Sequence, residues 1–211
     1  MRNRTISHAA LLGALLLGTL VLPAISHAGG PASAGNRHPM AADLAQRDAD
    51  IHWPAGFSPA EADLFAHNET DIDASCAIVW RHIAAAGDWS QWYPNGTHVT
   101  LPAGTTTLEA TTVFQWRTFG FDLESKIVEF EPIKRMGWFG YAPGKTPNFY
   151  HTWYLQPSDA GCHVVTEEVG RGPDARSFRQ ADEAALHRGH DLWLAGLKWV
   201  SENAPAVTGL P

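Results

Sequence analysis

The residues with chemistry to offer are few and lie late in the chain. Over Phe149 to Gln156, alternation separates Phe149, His151, Trp153 and Leu155 from Tyr150, Thr152, Tyr154 and Gln156. The first set is the more apolar and is expected to face inward, which makes His151 a polar group on a core face that must be paired, hydrated or used. On the next stretch two sets stay open: Val164, Thr166 and Glu168, or His163, Val165, Glu167 and Val169. An imidazole and a carboxylate facing one cavity form an acid/base pair able to remove a proton beside a carbonyl. Such chemistry also needs a donor for the enolate oxygen, and Tyr141, Tyr150 and Arg117 are candidates if they face in. The plainer reading of a buried His–Glu contact is a satisfied structural pair.

Other signatures are absent from the sequence. There is no Gly-x-Ser-x-Gly and no phosphate-binding glycine loop. Cys76 and Cys162 are too widely separated to read as a zinc pair. His187, His190 and Asp191 sit close on one helical stretch without a His-Glu-x-x-His frame, so they read as surface or cavity-rim groups. No metal and no cofactor is expected. Nine tryptophans suit either a large core or a core that also meets a ligand, and composition does not separate the two.

The elements that must position these groups follow from pattern. A strand is expected over Glu69 to Ala74, then a helix from Cys76 to Ala85 with Ser75 as N-cap, broken by Gly87 before a short second helix carrying Trp89 and Trp92. Strands are expected at His98–Leu101, Thr105–Phe119, Phe121–Phe130, Met136–Tyr141, Phe149–Gln156 and Cys162–Gly170, with turns at Gly120, Pro143-Gly144 and Pro157–Gly161. A closing helix is expected from Arg176 to Asn203. One stripe holds Leu186, Trp193, Leu197 and Val200, and an adjoining one holds Ala185, Gly189, Leu192, Gly196 and Trp199. Gly189 and Gly196 would either let the sheet approach or leave room for a ligand.

The first 28 residues read as a secretory signal peptide: Arg2 and Arg4, an apolar run from Ala9 to Val21, and Ser26-His27-Ala28 before the cut. Cleavage would remove two arginines and take the formal charge from −7 to about −9, which disfavours nucleic acid and anionic membrane surfaces as partners. A retained anchor is the rival, since the run can be stretched to Ile25. Residues 29–65 read as linker and leader, with a weak helix at Ala41–Gln46 and Trp53 and Phe57 tucked against the domain. His52 and Trp53 are candidates to close over a cavity mouth. A tail follows from 205 to 211.

Several of these segments together resemble a known family. They are Ser75, Ile78, Val79, Trp80 and Ile83; Asp88 to Pro94 (DWSQWYP); Ser125, Ile127, Glu129, Phe130 and Pro132; and His151, Trp153, Leu155, Pro157, Gly161, Val164, Thr166, Glu167, Glu168 and Gly170. Over roughly residues 66–203 the chain resembles the START-like, helix-grip superfamily, in its polyketide cyclase/dehydrase and lipid-transport branch. The resemblance implies an α+β fold: a seven-stranded curved antiparallel sheet wrapped around a long C-terminal helix, with two short helices after strand one. It turns Val164, Thr166 and Glu168 inward, and sets Trp89 and Trp92 at the open end of the concave side. It also makes the first and last strands neighbours, which with export implies a Cys76–Cys162 disulfide closing a loop of 86 residues.

The expected function is an exported binding protein for a small hydrophobic or aromatic molecule held between sheet and closing helix. The expected contacts are Trp89, Trp92, Trp116, Tyr141, His151, Trp153, Glu168, Gly189 and Trp193. The alternative is a cyclase, aromatase or dehydratase with His151 and Glu168 as acid/base groups. The fold hosts both classes, so the sequence leaves the oligomeric state, the ligand and any reaction open.

Overall fold

The computed structural model describes residues 40–204. The signal segment, most of the expected linker and the tail lie outside the described residues. The strands are β1 (Leu64–Ile72), β2 (Thr97–Thr100), β3 (Val113–Thr118), β4 (Phe121–Glu131), β5 (Arg135–Tyr141), β6 (Phe149–Ser158) and β7 (Gly161–Gly170). The helices are α1 (Met40–Gln46), α2 (Cys76–Ala84), α3 (Gly172–Ala181) and α4 (Ala185–Glu202), with a 3-10 segment at Ala86–Gln91 after α2. All seven strands form one antiparallel sheet in the order β1-β7-β6-β5-β4-β3-β2. This curved sheet with its C-terminal helix is the helix-grip architecture expected above.

The apolar alternation of the strands is answered by cover on both faces. Inside, Phe114, Trp116, Ile127, Trp138, Trp153 and Val164 meet Val79 and Ile83 of α2, Trp89 of the 3-10 segment, and Trp193 and Leu197 of α4. Trp193 is the hub: its ring stacks on Tyr93 at 4.3 Å between centroids and meets Trp89, Trp153 and His151 edge-on at 5.1 Å each. Outside, α1 and the leader cover β1, β7 and β6. Met40, Phe65 and Val169 form one cluster with Trp53 and Phe57 against it, and Ile51, Tyr154 and Val165 form another. Two such layers around a sheet explain why β6 is buried from Tyr150 through Leu155 rather than at alternate positions.

Cys76 and Cys162 are joined by a disulfide with 5.0 Å between their Cα atoms. The register makes this reachable: Ile72 at the end of β1 pairs with Cys162 at the start of β7, and α2 begins four residues on.

Four expectations need correction. The first strand begins at Leu64 and ends at Ile72, because the leader's apolar cover extends its pairing toward Gly170. The strand expected from Thr105 begins only at Val113; Leu108 is buried on the way, its N–H donating to the Ala84 carbonyl at 2.7 Å. The closing helix is two helices. Asp182 has extended backbone (φ −163°, ψ 102°) and its carboxylate accepts from the Ala184 N–H at 3.1 Å, a local bond that competes with helix continuation. Finally, the second stripe of α4 is not core. Leu192 is 44% and Trp199 65% exposed, so the buried stripe runs through Leu186, His190, Trp193 and Leu197.

Candidate functional site

Between the inner face of the sheet, α3 and α4 lies a cavity of about 520 Å³. Its inner wall is aromatic, with Tyr93, Trp116, Trp138 and Trp193. Its outer part carries Phe119, Phe149 and Phe178 together with the polar groups Asp122, Asn148, Asp174 and Ser177. Phe121, Asp122, Asp174 and Ser177 are exposed, so the mouth opens between the β3–β4 turn and α3. The break at Asp182 is what lets α3 turn away from α4 and form one lip of that mouth.

Three ionisable side chains meet on the cavity wall. Pairing of β6 with β7 sets His151 opposite Glu168, and α4 lays His190 across them. The Glu168 Oε2 is 3.1 Å from His151 Nδ1 and 3.1 Å from His190 Nε2. His151 is stacked on Trp138 at 4.6 Å, and its Nε2 lies 2.9 Å from the Thr166 hydroxyl oxygen. On the far side of His190, Nδ1 is 3.2 Å from Asn68 Oδ1. Asn68 is oriented by two acceptors, its Nδ2 donating to the His187 carbonyl at 3.1 Å and to Asp191 Oδ1 at 2.8 Å. Asn68 Oδ1 must therefore accept from His190 Nδ1–H.

Burial strips solvation from the His151 imidazolium and brings it down to about 4, although the Glu168 carboxylate pulls the other way. For Glu168, burial acts to raise the carboxyl, but the hydrogen bonds and charges of His151 and His190 outweigh it and hold the group at about 2. A neutral imidazole beside a carboxylate at neutral pH is the state in which His151 can accept a proton. Burial pushes Tyr93 up to about 12, and its hydroxyl accepts from Asn95 Nδ2 at 2.9 Å, so it remains a neutral phenol in the wall.

Of the residues expected at the site, Trp116, His151, Glu168 and Trp193 line the cavity. Trp89 and Trp153 are fully buried in the core behind it. Trp92 packs on the core from the far side, its carbonyl and ring lying where a Cβ at Gly196 would stand. Gly189 likewise admits the Phe119 ring, which a Cβ would meet at 2.2 Å. Both glycines thus allow close approach rather than leaving room for a ligand. Tyr141 lies between the lining residues Gly140 and Ala142 on the strand, and strand alternation sends it to the other face, beside Glu124.

The other proposed oxyanion donors are also outside the cavity. Tyr150 contacts Phe139, Trp53 and Phe57, and Arg117 is exposed beside Asp122. His52 and Trp53 are on the outer face, with His52 on Glu129 at 2.8 Å, so they do not cover the mouth. Sequence reasoning missed Tyr93, Trp138, His190 as a site residue, and Asn68. His190 had a signal: it interrupts the apolar stripe Leu186, Trp193, Leu197 with a polar group at helical spacing.

The family model described as "Polyketide cyclase / dehydrase and lipid transport" matches residues 66–202. Among solved structures, a hypothetical protein from Helicobacter pylori is 29% identical, with a TM-score of 0.67 over 74% of this chain and 98% of that one. A Mesorhizobium loti protein is 16% identical, with a TM-score of 0.53 over 67% of this chain and 98% of its own. A di-domain ARO/CYC from the steffimycin biosynthetic pathway is 14% identical, with a TM-score of 0.53 over 66% of this chain and 52% of that one. The last two likenesses concern the fold alone. No curated protein matches. With the family model covering the sheet, the closing helix and all three ionisable groups of the cavity wall, the chain belongs to the polyketide cyclase/dehydrase and lipid-transport family.

Proposed function

We propose that this protein is exported and binds a small, flat, hydrophobic or aromatic molecule in the cavity between sheet, α3 and α4. The observation that carries the reading is the cavity itself. About 520 Å³ walled by Tyr93, Trp116, Trp138 and Trp193, with His151, Glu168 and His190 as polar anchors, is the composition of a small-molecule site. Aromatic walls favour a planar ligand by stacking, and the three polar groups favour one that carries an oxygen. Export is supported by the signal-like leader and by the disulfide, which suits an oxidising compartment. No helix among the described residues is long and apolar enough to cross a membrane. Native mass spectrometry of protein exported by its own source tests the reading by detecting a co-purifying small molecule. Quenching of tryptophan fluorescence by 2-naphthol should follow saturable one-site binding; a linear, unsaturable response would count against it.

The His151–Glu168 contact gives specific support to a second reading, in which the bound molecule is turned over. His151 Nε2 would exchange its contact with the Thr166 hydroxyl for a proton beside a substrate carbonyl, with Glu168 holding Nδ1–H and stabilising the imidazolium. One likeness, the di-domain ARO/CYC, comes from a biosynthetic pathway and fits this reading by fold alone. Enolisation of a β-dicarbonyl, followed as solvent deuterium exchange, distinguishes a catalyst from a carrier: His151→Ala should abolish protein-dependent exchange in a catalyst.

A further inference from the structure

We propose that His151, Glu168 and His190 form a three-ligand site for one divalent transition-metal ion of the zinc class, with its remaining coordination position open to the cavity. The inference deepens the cavity reading, and rests on it only for the cavity ligand that would complete the coordination. His151 Nδ1, a Glu168 oxygen and His190 Nε2 all lie within 4.8 Å of one another. Glu168 Oε2 stands 3.1 Å from each nitrogen. Atoms bound to a common ion at zinc distances stand about 3.0–3.5 Å apart, a spacing that both Glu168 contacts already have.

The groups behind the ligands make the stronger argument. Asn68 has both amide hydrogens committed to acceptors, and its oxygen takes the His190 Nδ1–H. A neutral His190 must then turn a lone pair, not a hydrogen, toward the Glu168 oxygen 3.1 Å away. Two acceptors facing each other at that distance repel unless a cation, a proton or a metal ion, lies between them. His151 can adopt the same state. The Thr166 hydroxyl is 2.8 Å from the Thr152 carbonyl, to which it can donate, leaving its oxygen to accept from His151 Nε2–H. That arrangement presents the Nδ1 lone pair to Glu168. Histidine ligands characteristically donate their second ring N–H in this way, which fixes tautomer and orientation.

His and carboxylate donors suit zinc and its neighbours rather than calcium or magnesium. Glu168 is the partly exposed member and all three line the cavity, so a fourth position faces the aromatic chamber. An ion held there would polarise the oxygen of a bound phenol, enol or carbonyl compound. The expectation from sequence that no metal is held paired His190 with His187, one helical turn away. His187 turns instead toward Asp43 and Asp191, while His190 joins groups 22 and 39 residues distant.

The test titrates metal-stripped full-length protein with Co²⁺ and reads its visible d–d absorption, then displaces Co²⁺ with Zn²⁺. One equivalent per chain is expected. Glu168→Gln and His190→Gln should weaken binding at least 100-fold, and Asn68→Leu about 10–100-fold. His163→Ala, on the outer surface beside Asp71, should bind as wild type. Because a variant can fail to fold, imidazole ¹⁵N shifts are also read in wild-type protein on adding Zn²⁺. They should move at His151 Nδ1 and His190 Nε2. Absence of one-to-one binding, undiminished binding in folded Glu168→Gln, or shifts confined to other histidines would overturn the metal site. Saturable 2-naphthol binding to the metal-free protein would leave the cavity reading standing in that case.

Discussion

Two neighbouring glutamates on β7 meet histidines on opposite faces of the same sheet, and their surroundings differ in access to the cavity. Glu167 faces out. It is fully buried under the leader, its Oε1 accepting from the Asp48 N–H at 2.6 Å and lying 2.6 Å from His67 Nδ1 on the adjacent strand. Glu168 faces in, 14% exposed, between two histidines on the wall of an aromatic cavity. Solvent and small molecules have a route to the second pair and none to the first. The first is read as a clamp for the leader, the second as a site.

The largest expected effect breaks the clamp. His67→Ala strands a buried carboxylate and should cost about 3–5 kcal/mol in urea unfolding. His151→Ala leaves Glu168 with His190 and access to the cavity, so the loss should be smaller, about 1–2 kcal/mol. Equal losses would erase the distinction between the faces.

Core and surface tryptophans on α4 sharpen the same contrast. Trp193→Ala removes the hub of the inner cluster and should cost about 3–5 kcal/mol. Trp199→Ala, on an exposed ring, should change stability by no more than about 0.5 kcal/mol. A large loss at Trp199 would require α4 to be rotated about its axis.

The two pairs also differ in the sign of their pH dependence, measured in chelator so that only protons compete. Burial raises Glu167. For His67 burial acts downward, but the Glu167 bond and the charges of Glu167 and Glu69 outweigh it and raise the imidazole. The folded outer pair therefore holds protons more tightly than the unfolded chain, and its contribution falls as pH rises above the unfolded values of 4.5 and 6.5. The inner pair is depressed in the fold. His151 loses stabilisation as pH falls from 6.5 to about 4, and Glu168 as it falls from 4.5 to about 2. His67→Ala leaves Glu167 raised further without its partner, so the loss of stability above pH 4.5 should deepen, whereas His151→Ala should flatten the acid limb. The opposite assignment would contradict the placement of the two glutamates.

The ambiguity over β7 in the sequence has its physical cause here. Alternation reports one buried face against one wet one, and β7 has two buried faces because the leader covers the outer side. Strand count and the α2 helix were legible from turn residues and local pattern, whereas strand order and the Cys76–Cys162 bond came from the resemblance, because β1 and β7 are the first and last strands and pair across the whole length of the sheet's sequence. The kink at Asp182 was not, because Arg176 to Asn203 is nearly free of helix breakers and the break depends on one carboxylate capping its own backbone. His151 was legible as a polar group in an apolar set. His190 needed α4 docked on the sheet before its partner could be seen, and Asn68 needed His190.

Ligand affinity in the two histidine variants tests the central claim most directly. With 2-naphthol titrated against tryptophan fluorescence at a temperature where both variants are folded, His151→Ala should raise Kd at least tenfold with a smaller fall in Tm than His67→Ala, about 2–8 °C. His67→Ala should lower Tm and leave Kd within about twofold of wild type, since its effect is on the clamp. Unchanged affinity in His151→Ala, or a loss confined to His67→Ala, would place the function of this sheet somewhere other than its inner face.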